Sequence, residues 1–193
     1  MASRGPYAKG LAKRGEILDA ALEEFGRRGY DRTSMREIAR QTGLSQAGLL
    51  HYFSTKEELF LAVLRRRDDR ATTPDEYSHI HSVKRLLGAV ARNADEPGLV
   101  RLFVSMSAES VDGDGMAHGF FVDRYRWLID EIAGDIRAQQ EAGEASTAID
   151  AEDAASILVA VADGLQLQWL LDPDGVDMAD RIAKLWAILR SAA

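Results

Sequence analysis

Apolar residues recur every three to four positions through nearly the whole chain, and no stretch alternates apolar and polar residues over the length of a strand. That spacing puts apolar side chains on one face of successive helices, so the sequence predicts an all-α fold of about nine helices. In the first, Ile17, Leu18, Ala21, Leu22 and Phe25 share a face, and the helix stops at Arg27-Arg28-Gly29 with cations in its last turn. The second starts at Ser34, which stands at capping-box distance from Glu37, and runs to Gly43. A short third helix is expected over about 45–53, and a fourth from Thr55, again three residues ahead of a glutamate, Glu58. Later helices are expected near 82–94, 97–111, 120–142, 150–171 and 177–191, with "ATTPDEYS", "DGDGMAHG" and "DPDG" among the connectors.

A chain of 193 residues buries roughly 70% of its unfolded surface, enough for a core without covalent staples. It has no cysteine, which excludes disulfides, thiolate zinc sites and cysteine nucleophiles. No uninterrupted apolar run approaches the roughly 18 residues of a membrane span, and the N-terminus has charge but no apolar segment of signal-peptide type. The expectation is a cytoplasmic protein with no membrane partner. The net charge of −7 is unevenly placed: residues 1–70 carry 14 Lys/Arg against 10 Asp/Glu (+4), and residues 71–193 carry 10 against 21 (−11). A basic N-terminal part followed by an acidic remainder fits an anionic partner for the former.

Residues 34–53 have the anatomy of a helix-turn-helix: a capped helix, a turn containing Gly43, and a second helix. In such a motif the second helix enters the DNA major groove with its N-terminal residues on base edges. Ile38, Ala39, Leu44, Leu49 and Phe53 are the inward positions, which leaves Ser45, Gln46, Ala47, Gly48, Leu50, His51 and Tyr52 outward. Gln46 can pair bidentately with adenine, Ser45 can reach a base or phosphate, and the Ala47 methyl can meet a thymine methyl. His51 and Tyr52 are long enough for phosphates, Lys56 adds charge at the start of the fourth helix, and Gly48 gives clearance from the groove floor.

The stretch "TSMREIARQTGLSQAGLLHYFSTKEELFLAVL", residues 33–64, resembles the DNA-binding domain of the TetR/AcrR family of bacterial transcriptional regulators. The matching features are Ser45, Leu49, Tyr52 and Phe53, the Lys56-Glu57 pair and the amphipathic helix before them. Two departures stand out. Leu50 takes a DNA-facing place where the family commonly has tyrosine, and Gln46-Ala47-Gly48 replaces a common Lys-Gly-Thr, losing a phosphate charge and gaining an adenine reader. The resemblance also implies DNA contacts for Ser34 and Arg36, although Arg36 equally fits a solvated face or an ion pair. Arg4, Lys9, Lys13 and Arg14 fit either an arm on phosphates or a solubilising tail.

What the resemblance implies is a helix-turn-helix domain over residues 1–56 and a helical effector-binding and dimerisation domain over 57–193. The partners implied are a palindromic or pseudo-palindromic double-stranded DNA operator, a second copy of the chain, and a small-molecule effector. Phe103, Met106, Phe121, Tyr125, Leu128 and Trp169 are candidates for an effector pocket, or for ordinary core; with no cation cluster in view, the effector is expected to be apolar or aromatic. Ile157, Val161 and Leu165, with Ile182, Leu185 and Leu189 on the last helix, are candidates for the dimer interface, and Leu158 and Trp186 extend the same stripes.

Enzyme signatures are missing: the sequence has no G-x-S-x-G, phosphate-binding glycine loop or H-E-x-x-H. His79 and His81 are too close in sequence to chelate from one helix face. Asp112, Asp114 and Asp123 begin like a calcium loop, but Met116 and Ala117 occupy places that need an oxygen ligand and a glycine. The expectation is no metal, no cofactor and no catalysis: a ligand-released repressor. The rival readings are an activator or chromosome-organising protein of the same fold and, more remotely, a helical enzyme or carrier.

Overall fold

The structure is a computed structural model that describes residues 6–71, 82–113 and 115–191. Among the described residues it contains nine α-helices and no strand: α1 Pro6–Arg28, α2 Met35–Gln41, α3 Gln46–Leu50, α4 Lys56–Ala71, α5 Ser82–Asn93, α6 Pro97–Glu109, α7 Met116–Glu141, α8 Ala151–Leu171 and α9 Met178–Ser191. The all-α expectation is met. The connector at 71–78, His79 and His81, Arg4 and Asp114 fall wholly or largely outside the described residues.

The chain divides into two compact units, Met1–Arg70 and Ala71–Ala193. By packing, α4 therefore goes with the first three helices, whereas the family resemblance implies a functional boundary at residue 56. The reason is apolar burial on α4: Leu59, Phe60, Val63 and Leu64 are all buried. They join Ile17, Ala21 and Phe25 of α1, Ile38 of α2, Leu49 and Phe53 in the buried set of this unit. Phe60 meets Phe25 edge-on at 5.8 Å and Tyr30 at 5.4 Å.

Helix α1 begins at Pro6, a residue suited to the first helical turn, and so absorbs Lys9, Lys13 and Arg14. These residues do not form a free arm or a loose tail. Lys13 Nζ donates to the carbonyl of Thr42 at 2.6 Å and pairs with Glu16, while the Arg14 guanidinium lies 4.9 Å from the centre of the Phe53 ring.

In the second unit α8 packs against α6, α7 and α9, and α5 packs against α6, α7 and α9. The core is built from Val83, Leu86, Val90, Val100, Ile132, Ile136, Leu158, Leu165, Trp169 and Ile182, among others. By length and composition α8 is apolar enough to cross a membrane, despite the interruptions by Asp163, Gln166 and Gln168 that break its apolar run in sequence. Its packing is that of a core helix, with Ala154, Ala155, Leu158, Val159, Ala162 and Leu165 buried among neighbours. Helix α7 starts at Met116, earlier than the expected start near 120, so that Met116 and Ala117 lie inside the helix rather than in the connector.

Candidate nucleic-acid interface

The turn between α2 and α3 is held by the backbone itself. Leu44 N donates to Ala39 O at 2.8 Å and Gly43 N to Arg40 O at 3.2 Å, with Gly43 at φ +66°, a C-terminal cap that needs a residue free to adopt the left-handed region. At the other ends, Ser34 Oγ accepts from Glu37 N, and Ser45 Oγ accepts from Gly48 N at 3.0 Å. The Glu37 carboxylate pairs with Arg40 instead of completing a capping box. Helix α3 is shorter than expected because the chain after Leu50 tightens into a turn, Tyr52 N and Phe53 N both donating to Leu49 O.

With Leu49 and Phe53 sealed into the core, the helix has one orientation. Ser45, Gln46, Ala47, Leu50 and His51 are exposed, Gly48 and Tyr52 are half-buried, and the rings of His51 and Tyr52 meet edge-on at 6.0 Å. The outward set read from periodicity thus lies together on one surface, and Arg36 is exposed on α2. One assignment changes, and one residue gains a second reason for its identity. A Cβ at Gly48 would come within 3.3 Å of Ser45 Oγ and 3.7 Å of Leu44, so this glycine protects the helix cap from within the protein. Lys56, expected on phosphate, is turned inward: Nζ donates to Tyr30 O at 3.0 Å and Thr33 O at 3.3 Å and sits 4.2 Å from the centre of the Tyr30 ring. Its ammonium staples the α1–α2 connection to α4.

A buried carboxylate fixes α1 against α2. Glu24 is fully buried; it binds Arg27 and Arg28 of its own helix and accepts from Gln41 Nε2 at 2.7 Å. Burial pushes its carboxyl upward, but the hydrogen bonds from Arg27 and Gln41 and the charges of Arg27 and Arg28 outweigh this and hold it below the ordinary carboxylate range.

In the second unit, Phe103, Met106, Phe121 and Trp169 are buried and Tyr125 and Leu128 half-buried. Phe103 and Phe121 meet at 5.5 Å, so α6 and α7 do bring part of the expected pocket set together. Trp169 stands apart from that pair, lining an open cleft of about 360 Å³ with Val90, Ala94, Pro173, Val176 and Met178. The expected dimer set also separates. Leu165 and Ile182 are buried in the core of their own unit, which removes them from any partner surface; Val161, Leu185 and Leu189 are half-buried and Ile157 is exposed.

The description "Bacterial regulatory proteins, tetR family" matches residues 17–63, and "BetI-type transcriptional repressor, C-terminal" matches residues 83–191, more than half of the chain. The chain belongs to the TetR family. The HTH-type transcriptional regulator RutR of Escherichia coli (strain K12) is 33% identical over 135 residues, covering 66% of this chain and 56% of RutR. The match thus spans little more than half of that relative's length. The HTH-type transcriptional activator FasR of Mycolicibacterium smegmatis is 49% identical over 57 residues, 30% of this chain and 26% of FasR. Among solved structures, a transcriptional regulator from Saccharomonospora viridis in complex with choline superposes with a TM-score of 0.73 at 27% identity, covering 93% of this chain and 96% of the other.

As a TetR-family regulator the chain has residues of interest that sequence reasoning missed. Leu167 and Leu171 on α8 and Ile188 on α9 are 49%, 79% and 65% exposed, and with Ile157 they mark an apolar surface on the last two helices. Leu171, fourteen residues or nearly four turns beyond Ile157 along α8, had a signal in that spacing. Asp163 and Gln166, polar residues at inward or half-inward places on the most apolar helix, were a second such signal.

Proposed function

We propose that this TetR-family chain is a homodimeric repressor that holds a two-fold DNA operator and leaves it when a small molecule binds the second unit. The observation that carries the reading is the exposed face of α3, where Ser45, Gln46, Ala47, Leu50 and His51 stand clear while Leu49 and Phe53 anchor the helix. In each half-site Gln46 reads an adenine, Ala47 and Leu50 meet thymine methyls, and Ser45, with its Oγ already accepting from Gly48 N, donates its hydroxyl hydrogen to a phosphate or base. His51, Tyr52 and Arg36 serve the backbone. Two copies place their α3 helices about 34 Å apart, one turn of the duplex.

The dimer is made through Ile157, Leu167, Leu171 and Ile188, with half-buried Val161, Leu185 and Leu189 at its margin. By packing the DNA-reading unit extends to Arg70, and the effector unit lies beyond it. The effector acts by differential affinity for two arrangements of the dimer, and occlusion of a promoter in the cytoplasm needs no catalysis. Gel-shift titration of the full chain against the DNA flanking its own gene tests this. Specific binding that saturates at one dimer per site is expected, and binding no better than to random duplex at physiological salt refutes it.

A second reading, transcriptional activation, is favoured by one observation: over 57 residues the chain is 49% identical to the activator FasR. Reporter transcription with the gene present and deleted separates the two, rising on deletion for a repressor and falling for an activator.

A further inference from the structure

Asp163 lies half-buried on α8. Its Oδ2 accepts from Tyr125 Oη at 2.5 Å and its Oδ1 from Gln166 Nε2 at 3.4 Å, so both hydrogen-bond donors are neutral. Arg124 is the nearby cation, but its guanidinium is stacked 5.0 Å from the centre of the Phe103 ring. Burial raises the Asp163 carboxyl above its ordinary value by more than the Tyr125 hydrogen bond and the Arg124 charge lower it. A carboxylate in that balance is short of positive charge.

Gln166, one turn along α8, is 6% exposed, and its Oε1 is buried with no hydrogen-bond partner. The carboxamide cannot be reversed to cure this, because reversal would set Oε1 against the Asp163 carboxylate. Leaving such an acceptor unmet carries the full cost of its lost hydration. The same face of α7 carries Phe121, one turn before Tyr125 and 5.5 Å from Phe103.

We propose that the Tyr125–Asp163–Gln166 cluster between α7 and α8 is a binding site for an organic ammonium ion, with Asp163 as counter-ion, Gln166 Oε1 as acceptor of an ammonium N–H, and the rings of Phe121 and Phe103 beside its apolar body. This rests on reading the second unit as the effector domain, and it replaces an uncharged effector with a cationic one. A neutral ligand leaves the Asp163 charge unmet, an anion is repelled by it, and a quaternary ammonium has no N–H for Gln166.

The test uses the full chain at pH 7, with 2-phenylethylammonium as probe and 2-phenylethanol, 3-phenylpropionate and the N,N,N-trimethyl derivative of the probe as comparators, read by calorimetry and thermal shift. The ammonium is expected to bind at least tenfold tighter than the alcohol or the carboxylate, and several-fold tighter than its trimethyl derivative. Asp163→Asn keeps the shape and supplies an amide N–H for Gln166, so it stays folded and loses the ammonium preference. Gln166→Met erases the difference between ammonium and trimethylammonium.

Equal binding of the alcohol or carboxylate, undiminished ammonium binding in Asp163→Asn, or no ammonium binding up to millimolar concentration overturns the proposal; so does a crystal structure with the probe that shows only a water at Gln166 Oε1. A parallel DNA titration keeps the two readings apart. Specific DNA binding without ammonium binding sinks this site alone, whereas ammonium binding without specific DNA binding sinks the repressor and leaves the site standing.

Discussion

Lys56→Met separates two roles that one lysine at the start of a helix can play. In the structure its ammonium makes two hydrogen bonds to main-chain oxygens, of Tyr30 and Thr33, and lies over the Tyr30 ring. Methionine keeps the aliphatic stem and removes the charge. Each charge-assisted bond is worth at most about 1.5–3 kcal/mol when buried, and the half-buried setting brings the pair to about 1–2 kcal/mol in total. The cation–π contact adds about 0.5 kcal/mol. For a chain of this size, with about 2–4 °C per kcal/mol, the calorimetric transition should fall by roughly 3–10 °C. The slope of log affinity against log salt on operator DNA should be unchanged, because no phosphate contact has been removed. A lysine on phosphate gives the opposite pair of results: an unaltered melting temperature and a slope smaller by about 0.9 per site. That outcome would refute the inward assignment.

Gln46→Ala should lower affinity by about 1–3 kcal/mol at each half-site that carries its adenine and relax discrimination there, with the salt slope intact; binding to operators mutated one base pair at a time reads this. Leu167→Glu together with Leu171→Glu places charge on the exposed apolar face of α8 and should yield monomers by light scattering with helix content retained, since both side chains lie outside the core. Glu24 sets an acid limit for the first unit. Its folded-state carboxyl titrates below the unfolded value of about 4.3, so its contribution is complete above that pH and is lost as pH falls through the folded value. Glu24→Gln should therefore lower stability at pH 7 and flatten the loss that sets in as pH falls below the unfolded value, as followed by circular dichroism.

Much of the DNA-reading unit was legible because its signals are local. Ser34, Gly43 and Ser45 act through bonds to residues within five positions in sequence, and the periodicity that buries Leu49 and Phe53 also decides that Gln46 and Leu50 face out. Lys56 was misjudged because its partners come through tertiary folding, Tyr30 lying 26 residues away, and a flexible cation can reach either solvent or a carbonyl from the same backbone position. Lys13 illustrates the point again, spanning 29 residues to Thr42 from what reads in sequence as a charged tail.

The effector unit was harder to read because α8 is apolar on more than one side. A single stripe identifies a core face; two stripes on one helix leave undetermined which meets the unit's own core. The structure decides it by burial, Leu165 inward and Leu167 and Leu171 outward. The same crowding hides the polar residues that specify the site. Asp163 and Gln166 read in sequence as interruptions of an apolar run, yet a carboxylate without a charged hydrogen-bond donor and a buried amide oxygen without any are costly unless something supplies their complement. Periodicity reports where apolar area goes, and it is silent on unmet polar valence, which is the quantity that selects a cation over a neutral ligand.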